Sequence, residues 1–170
     1  MIALMTGEPV ITEDMRAIVE SAGLGFVATT CPDGSPNLSP KGSIRVYDDR
    51  HLVFANIASP GTIANLHHDP RVEINSVDFL RRRGYRFKGR AEIIEPGDHP
   101  AYRWIADWLC QTHGPKVPAH QAVLVSVEQA LPVDSPAYTV LGAQEDDLLR
   151  AWARRYGEGL EQHLSQRRKS

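Results

Sequence analysis

The sequence predicts a mainly β fold: a small closed or half-closed barrel of about six antiparallel strands with flanking helices. The first observation behind this prediction is that segments rich in β-formers follow one another through two tight turns, Pro32-Asp33-Gly34 and Asp48-Asp49-Arg50. The second is that these turns leave no room for the crossover helix that a parallel pair of strands requires. The 170 residues contain no repeat and no long linker, so we expect one domain over residues 1–170, with its core at about 20–140.

The predicted elements are short strands separated by helices. The first element is a helix, because Thr12 is a good N-cap and Gly23 suits the C-terminal end. A short helix at 62–66 is expected to stop at Asp69-Pro70, since the residue before a proline disfavours helical backbone. Apolar residues at helical spacing predict a core-facing helix at 100–114. The predicted strands are 25–30, 37–47, 52–57, 71–77, 85–94 and 122–128.

A last helix is predicted at about 144–166. Its apolar residues recur at helical spacing and form one stripe. We expect this stripe to be a packing surface or a seam between subunits. The residues of the stripe are Leu149, Trp152, Tyr156 and Leu160.

The balance of charge argues against polyanionic partners. Nineteen basic and 21 acidic residues give a net charge of −2, so we expect neither nucleic acid nor a membrane as a partner. Cys31 and Cys110 lack CxxC spacing, and neither a targeting segment nor a membrane-length apolar run is evident, so we expect a cytoplasmic location. One segment departs from the balance, because six of the ten residues from Arg81 to Arg90 are basic.

The predicted strand at 37–47 contains the first candidate site. Pro40 and Gly42 have small or absent side chains, which let a ligand lie close to the backbone. Such a strand suits the edge of a flat polar heterocycle. A solvated outer face is the other interpretation. Alternation places two hydroxyls and two cations on one face, those of Ser39, Lys41, Ser43 and Arg45.

The segment Ser59-Pro60-Gly61-Thr62 forms the second candidate site, at the start of the short helix that contains Asn65. Hydroxyls and unpaired N–H groups at a helix N-terminus favour an anion, because the helix dipole attracts negative charge. Thr62 as an ordinary N-cap is the alternative.

The basic strand at 85–94 is the third candidate, because alternation sends Arg86, Lys88 and Arg90 to one face. A phosphate-bearing small ligand or an acidic patch of another subunit fits this charge. A row of cations that discourages edge-to-edge aggregation is the alternative. No nucleophile–base pair and no metal-ligand spacing stands out, so catalytic residues stay unassigned, no metal site is expected, and redox chemistry would come from a cofactor.

Short pieces in a fixed order, VATT, PDG, SPKG, SPGT, DPRV and KGRAE, together resemble the pyridoxamine 5′-phosphate oxidase-like family of FMN-binding split-barrel proteins. The resemblance covers about residues 20–140. It implies a six-stranded antiparallel Greek-key split barrel that forms a homodimer, with FMN in clefts between the subunits. The residues that it implies around the flavin ring are Ser39, Pro40, Lys41, Gly42 and Ser43, with Ala55, Asn56 and Ile57. Those that it implies around the phosphate are Ser59, Gly61, Thr62 and Asn65.

The chain departs from the family pattern at the phosphate, where many relatives carry a lysine or Ser-Arg-Lys and this chain has Pro60-Gly61-Thr62. We expect Lys41, or the arginines around Arg83 and Arg86, to supply the missing charge. The segment that closes over substrate in true pyridoxamine 5′-phosphate oxidases is not evident. The expected function is therefore an FMN-dependent oxidoreductase of an unidentified small molecule. A non-catalytic flavin-binding or storage protein, and a relative that binds F420 or haem, are the alternatives.

Overall fold

The computed structural model describes residues 10–167. Its helices in this range are α1 (Glu13–Ala22), α2 (Pro60–His68), α3 (Pro100–His113), α4 (Pro136–Leu141) and α5 (Glu145–Arg167). Its strands are β1 (Gly25–Thr30), β2 (Pro36–Lys41), β3 (Arg45–Val46), β4 (His51–Asn56), β5 (Arg71–Asp78), β6 (Arg83–Ile94) and β7 (Gln121–Pro132). Within residues 10–167, no helix is both long enough and apolar enough to cross a membrane.

The strands form one antiparallel sheet with the order β2-β1-β5-β6-β7-β4-β3. The edge strands β2 and β3 follow each other in the chain, so residues 42–44 carry the chain from one edge to the other. The sheet therefore curls into a half-barrel. This architecture confirms the prediction of a mainly β, barrel-like fold with flanking helices.

The prediction of one strand over 37–47 is wrong, and the sheet consequently has seven strands instead of six. β2 ends at Lys41, and β3 covers only two residues. Ser39 and Lys41 share a face, but Ser43 lies in the turn between the strands. Ile44 is only 2% exposed and packs into the barrel core. Alternation along a sequence does not reveal such a corner, because the apolar positions keep the same spacing through it.

Most predicted helix ends are confirmed. The Thr12 hydroxyl accepts a hydrogen bond from the Met15 N–H, and Gly23 takes left-handed backbone with φ 62° at the other end of α1. α2 ends before Asp69-Pro70 as predicted but begins two residues earlier, at Pro60. The N-cap position is therefore Ser59 and not Thr62. α4 has no counterpart among the predicted elements.

Apolar side chains are buried on both faces of the curled sheet. Inside the barrel, Val27, Ile74 and Phe87 pack with residues from α1 and α2. On the other face, α3 covers β4 and β7 through Ile105 and Leu109, which confirms that this helix faces the core. The two clusters together bury both faces of β4, the strand that leads into the turn before α2.

Gly89 lies at an irregularity in the pairing of β6 with β7, where the register shifts between Lys88 and Gly89. A Cβ at Gly89 would lie 2.1 Å from the carbonyl oxygen of Ser126. We expect Gly89→Ala to lower the free energy of unfolding by about 3 kcal/mol, because backbone has to move to relieve this overlap. Urea denaturation measures the change.

The control is Gly157→Ala on α5, where a new Cβ meets no atom within 4 Å. It should leave stability unchanged or raise it by up to about 1 kcal/mol, because alanine favours helix. Equal losses in the two variants would contradict the steric argument.

Candidate functional site

A buried lysine lies at the end of β2. Lys41 is 6% exposed, and its ammonium donates hydrogen bonds to the hydroxyls of Ser39 and Ser59, the latter at 2.8 Å. Among residues 10–167 no carboxylate forms an ion pair with it. Burial lowers the pKa of this ammonium below its usual 10.5. Its hydrogen-bond partners among the described residues are therefore two neutral hydroxyls.

The start of α2 adjoins this lysine. Ser59 occupies the N-cap position, yet its side chain caps no N–H group of the helix and instead accepts from Lys41. Pro60, at the first helical position, has no N–H. The N–H groups of Gly61 and Thr62 lie in the first turn, where a helix provides no carbonyl to accept from them. A Cβ at Gly61 would meet nothing within 4 Å. The helix end is thus open to a ligand.

Each group that meets here still has a proton to donate. An ammonium has three N–H bonds, and Lys41 uses two of them on the serines. Each serine hydroxyl accepts from Lys41 and keeps its own proton to donate. The amides of Gly61 and Thr62 add the field of a helix N-terminus. We call Ser39, Lys41, Ser59 and the first turn of α2 the Lys41 cluster; its chemistry suits an anion such as a phosphate.

Three side chains behind the cluster hold its turn in place. The Ser59 N–H donates to the Asn56 side-chain oxygen at 3.1 Å. The Asn56 amide donates to Gln121 at 2.7 Å, and Gln121 donates to Glu95 at 2.8 Å. Sequence reasoning missed Gln121 and Glu95, because the pairing of β4 with β7 brings together residues 65 positions apart. Asn56 thus reaches the candidate site through the backbone of Ser59.

Other predicted site residues lie close by but have structural contacts. Ser43 is buried, and its hydroxyl accepts from the Ala55 N–H at 3.1 Å. The Asn65 amide donates to the Thr29 hydroxyl at 3.0 Å and so ties α2 to β1. Thr62 is buried in the first turn of α2. Pro40 and Gly42 are exposed on either side of Lys41.

The two arginines offered as sources of phosphate-binding charge have carboxylate partners in the same chain. Arg83 hydrogen-bonds Glu145 at 3.0 Å and Asp14 at 3.2 Å, and Arg86 lies 3.0 Å from Glu73. Their positive charge is therefore compensated before any ligand arrives. Of the three cations expected to serve the phosphate, Lys41 is the one with no carboxylate partner among the described residues.

A second cation, which the strand pattern placed beside Lys41, lies against α3. The Arg45 guanidinium is 3.9 Å from the centre of the Trp108 ring and donates to the Ile44 carbonyl at 2.6 Å. Burial lowers its pKa, and the charge of Glu20 opposes that change. Arg45 therefore does not share the face of Lys41, and the predicted row of four polar side chains is divided.

Known proteins share both the sequence pattern and the fold of this chain. A family model described as pyridoxamine 5′-phosphate oxidase matches residues 11–134. The solved structure of HupZ from Group A Streptococcus is 31% identical, with a TM-score of 0.65, over 74% of this chain and 95% of that one. An FMN-binding protein from Syntrophomonas wolfei is 15% identical, with a TM-score of 0.63, over 74% and 87%. An F420 reductase is 20% identical, with a TM-score of 0.57, over 71% and 98%. At these identities the last two establish the fold alone.

The buried charge of Lys41 predicts a characteristic pH dependence of stability. Because the pKa of Lys41 is lowered in the folded protein, the unfolded chain binds this proton more tightly. The free energy of unfolding should therefore rise as the pH climbs from the folded pKa towards 10.5. Lys41→Met should lose this rise and be more stable than the wild type at pH 7, by about 1 kcal/mol or more.

Lys88→Met is the matched control, because Lys88 is exposed on β6. Its pH profile should follow that of the wild type. Urea denaturation between pH 7 and 10.5, without added anion, makes the comparison. If the free energy of unfolding of Lys41→Met depends on pH as that of the wild type does, the Lys41 ammonium is not desolvated.

Proposed function

Because the chain belongs to the pyridoxamine 5′-phosphate oxidase family, we propose that it is a flavin-dependent oxidoreductase whose Lys41 cluster binds the phosphate of FMN. The observation that carries this proposal is the uncompensated ammonium of Lys41 at an uncapped helix N-terminus. A phosphate would accept from both and would supply the missing counter-charge. Each group of the cluster still has a proton to donate, which supports a fit to this group.

The choice of FMN over F420 depends on the charge of the anion. FMN ends in a phosphomonoester that carries close to two negative charges at neutral pH, whereas F420 contains a phosphodiester with one. A dianion gains more from an ammonium and a helix N-terminus than a monoanion does. The FMN-binding protein and the F420 reductase that share the fold make these two cofactors the ones to compare.

In this proposal, the role of the protein is to position the flavin. A bound flavin would supply hydride transfer, and we expect its ring to lie along Pro40, Gly42 and Asn56. The exposed Pro40 and Gly42 leave room for a planar ring against the backbone of β2. Asn56 holds the turn at Ser59 and thereby fixes the distance between ring and phosphate sites.

A non-catalytic flavin carrier is the second candidate. The Lys41 cluster contains no carboxylate and no histidine, so it offers no group to take a proton from a substrate at neutral pH. A carrier needs only the binding site. Transfer of electrons from NADH or NADPH to the bound flavin, and onward to a substrate panel, separates an oxidoreductase from a carrier.

We also propose that the chain forms a homodimer through the outer face of the sheet. One cross-strand row on this face runs over five strands: Pro40, Phe26, Asn75, Arg86 and Leu131. Phe26 is 43% exposed and Leu131 is 40% exposed, and the buried side-chain oxygen of Asn75 has no hydrogen-bond partner within residues 10–167. A second copy would cover the apolar groups and donate to Asn75. The single-domain organisation and the cytoplasmic location remain predictions from the sequence.

Purified protein reconstituted with FMN should show the absorbance bands of bound flavin, and the denatured ligand should have the mass of FMN. Lys41→Met should weaken FMN binding roughly tenfold to a hundredfold, because a hydrogen bond to a charged group contributes about 1.5–3 kcal/mol. Fluorescence titration of FMN measures the change. Lys88→Met should bind as the wild type does.

Four outcomes of these measurements would count against the proposal. Absence of both flavin and deazaflavin binding would overturn the proposed function. Tighter binding of F420 than of FMN would show that F420 is the cofactor, and a haem spectrum would show that haem is. An unchanged affinity of Lys41→Met for FMN would show that the phosphate binds outside the Lys41 cluster.

Phe26→Arg should convert the dimer to a monomer, because it replaces an apolar side chain of the interface row with a charged one that the second copy would bury. Light scattering should then give about half the molar mass of the wild type at micromolar concentration. Val140→Arg is the control, since Val140 is 75% exposed on α4 and outside this row. A wild type that is monomeric, or a Phe26→Arg protein that stays dimeric, would exclude this interface.

A further inference from the structure

A series of hydrogen bonds runs from an exposed carboxylate to the Lys41 cluster. Glu95, just after β6, accepts from the Gln121 side-chain amide at 2.8 Å. The Gln121 side-chain oxygen accepts from the Asn56 amide at 2.7 Å, and the Asn56 side-chain oxygen accepts from the Ser59 N–H at 3.1 Å. We call Glu95, Gln121 and Asn56 the amide relay. Three bonds thus connect a surface charge to a residue whose hydroxyl accepts from Lys41.

The two ends of the amide relay have fixed hydrogen-bond roles. An ionised carboxylate only accepts, and a backbone N–H only donates. Each side-chain amide between them has a donating and an accepting end and could lie either way round. One arrangement alone leaves no donor facing a donor, and in it Gln121 turns its NH2 group to Glu95. The carboxylate therefore determines which end of the Asn56 amide faces the turn before α2.

The surroundings of Asn56 make this orientation consequential. Asn56 is 8% exposed, and its backbone is held by pairing with Gln121 and by its carbonyl, which accepts from the His120 N–H at 2.9 Å. A reversed amide would place an NH2 group against the Ser59 N–H with little access to water. A buried donor without an acceptor destabilises the conformation that contains it. The turn between β4 and α2 would then have to move.

Ser59 connects the amide relay to the anion site. Its hydroxyl accepts from Lys41 at 2.8 Å, and its carbonyl accepts from the Ile63 N–H at 3.2 Å at the start of α2. Both contacts depend on the position of the Ser59 backbone, whose N–H is held by the Asn56 oxygen. A shift of this backbone would change the distance between the ammonium and the helix N-terminus.

We propose that Gln121 is a positioning residue for the anion site: its amide, oriented by Glu95, turns the Asn56 oxygen towards the turn before α2 and so holds the Lys41 cluster in the geometry that binds an anion. This inference rests on the proposed function, in which the anion is the phosphate of FMN. Both ends of the Gln121 amide are engaged within the protein. Gln121 therefore acts through Asn56 and not by contact with the cofactor.

Replacing the Gln121 amide by a donor tests the direction of the relay. In Gln121→Lys the new ammonium pairs with Glu95 and attracts the Asn56 oxygen, so that the Asn56 NH2 group faces the turn. FMN affinity should fall roughly tenfold, because the Ser59 N–H loses its acceptor. Coulomb's law alone predicts the opposite sign, since this substitution adds a positive charge near an anion site. Fluorescence titration of FMN measures the change.

The double variant E95Q/Q121E exchanges the two side chains and keeps the net charge. Its carboxylate at position 121 accepts from Asn56, and its amide at position 95 donates to that carboxylate, so the direction at Ser59 is unchanged. It should bind FMN within about threefold of the wild type. Gln111→Lys is the control for added charge, because Gln111 is exposed on α3; its affinity should equal that of the wild type.

Hydrogen exchange of the Ser59 N–H, followed by NMR without any cofactor, separates this inference from the proposed function. This N–H should be protected in the wild type, in Q111K and in E95Q/Q121E, and should exchange at least tenfold faster in Q121K. The amides of the central strand β5 should keep their protection in all four proteins, which excludes general loosening of the fold. This pattern tests the relay even if the protein binds no flavin.

Three results would overturn the positioning role of Gln121. The first is equal protection of the Ser59 N–H in Q121K and the wild type. The second is loss of that protection in E95Q/Q121E. The third is FMN affinity in Q121K at or above that of the wild type, which would leave FMN binding itself intact and assign Gln121 no part in it.

Discussion

The ammonium of Lys41 is the group around which the candidate site is organised. It is withdrawn from water at the end of an edge strand, and two serine hydroxyls take the place of a counter-ion. One of them, Ser59, would otherwise be available to cap α2. In this structure its oxygen accepts from Lys41 and caps no N–H group of the helix, so the ammonium and the helix end both lack a negatively charged partner among the described residues. A single anion between Lys41 and the first turn of α2 would satisfy both at once.

Local signals in the sequence were sufficient for most of the fold. The turn at residues 32–34 predicted the β1–β2 hairpin, and Thr12 and Gly23 predicted the limits of α1. The corner after Lys41 could not be predicted, because apolar spacing continues through Ile44 while the chain changes sheet edge. Such a corner is determined by long-range pairing, in which β3 joins β4 and β2 joins β1. A period of two contains no information about those partners.

The sequence was sufficient to predict residues of the candidate site, but not which of its cations form ion pairs within the chain. Lys41 and Ser59 followed from strand alternation and from helix-end chemistry. The partners of Arg83 could not be predicted, since its carboxylates come from distant segments: Glu145 is 62 residues from Arg83, and Asp14 is 69 residues from it. These side chains are partly exposed, so each pair contributes little by itself. Their combined effect is to hold α1 and the start of α5 against the turn between β5 and β6.

The edge strand β2 connects the two proposed binding surfaces. Lys41 points into the cluster with Ser59, and its neighbour Pro40 points to the opposite face, in the row with Phe26 and Asn75. An anion at Lys41 and a second copy on the outer row would therefore order the same strand end from opposite sides. Ordering by one ligand lowers the conformational entropy that the other has to remove. Because such coupling is reciprocal, any gain in dimer affinity from the anion equals the gain in anion affinity from the dimer.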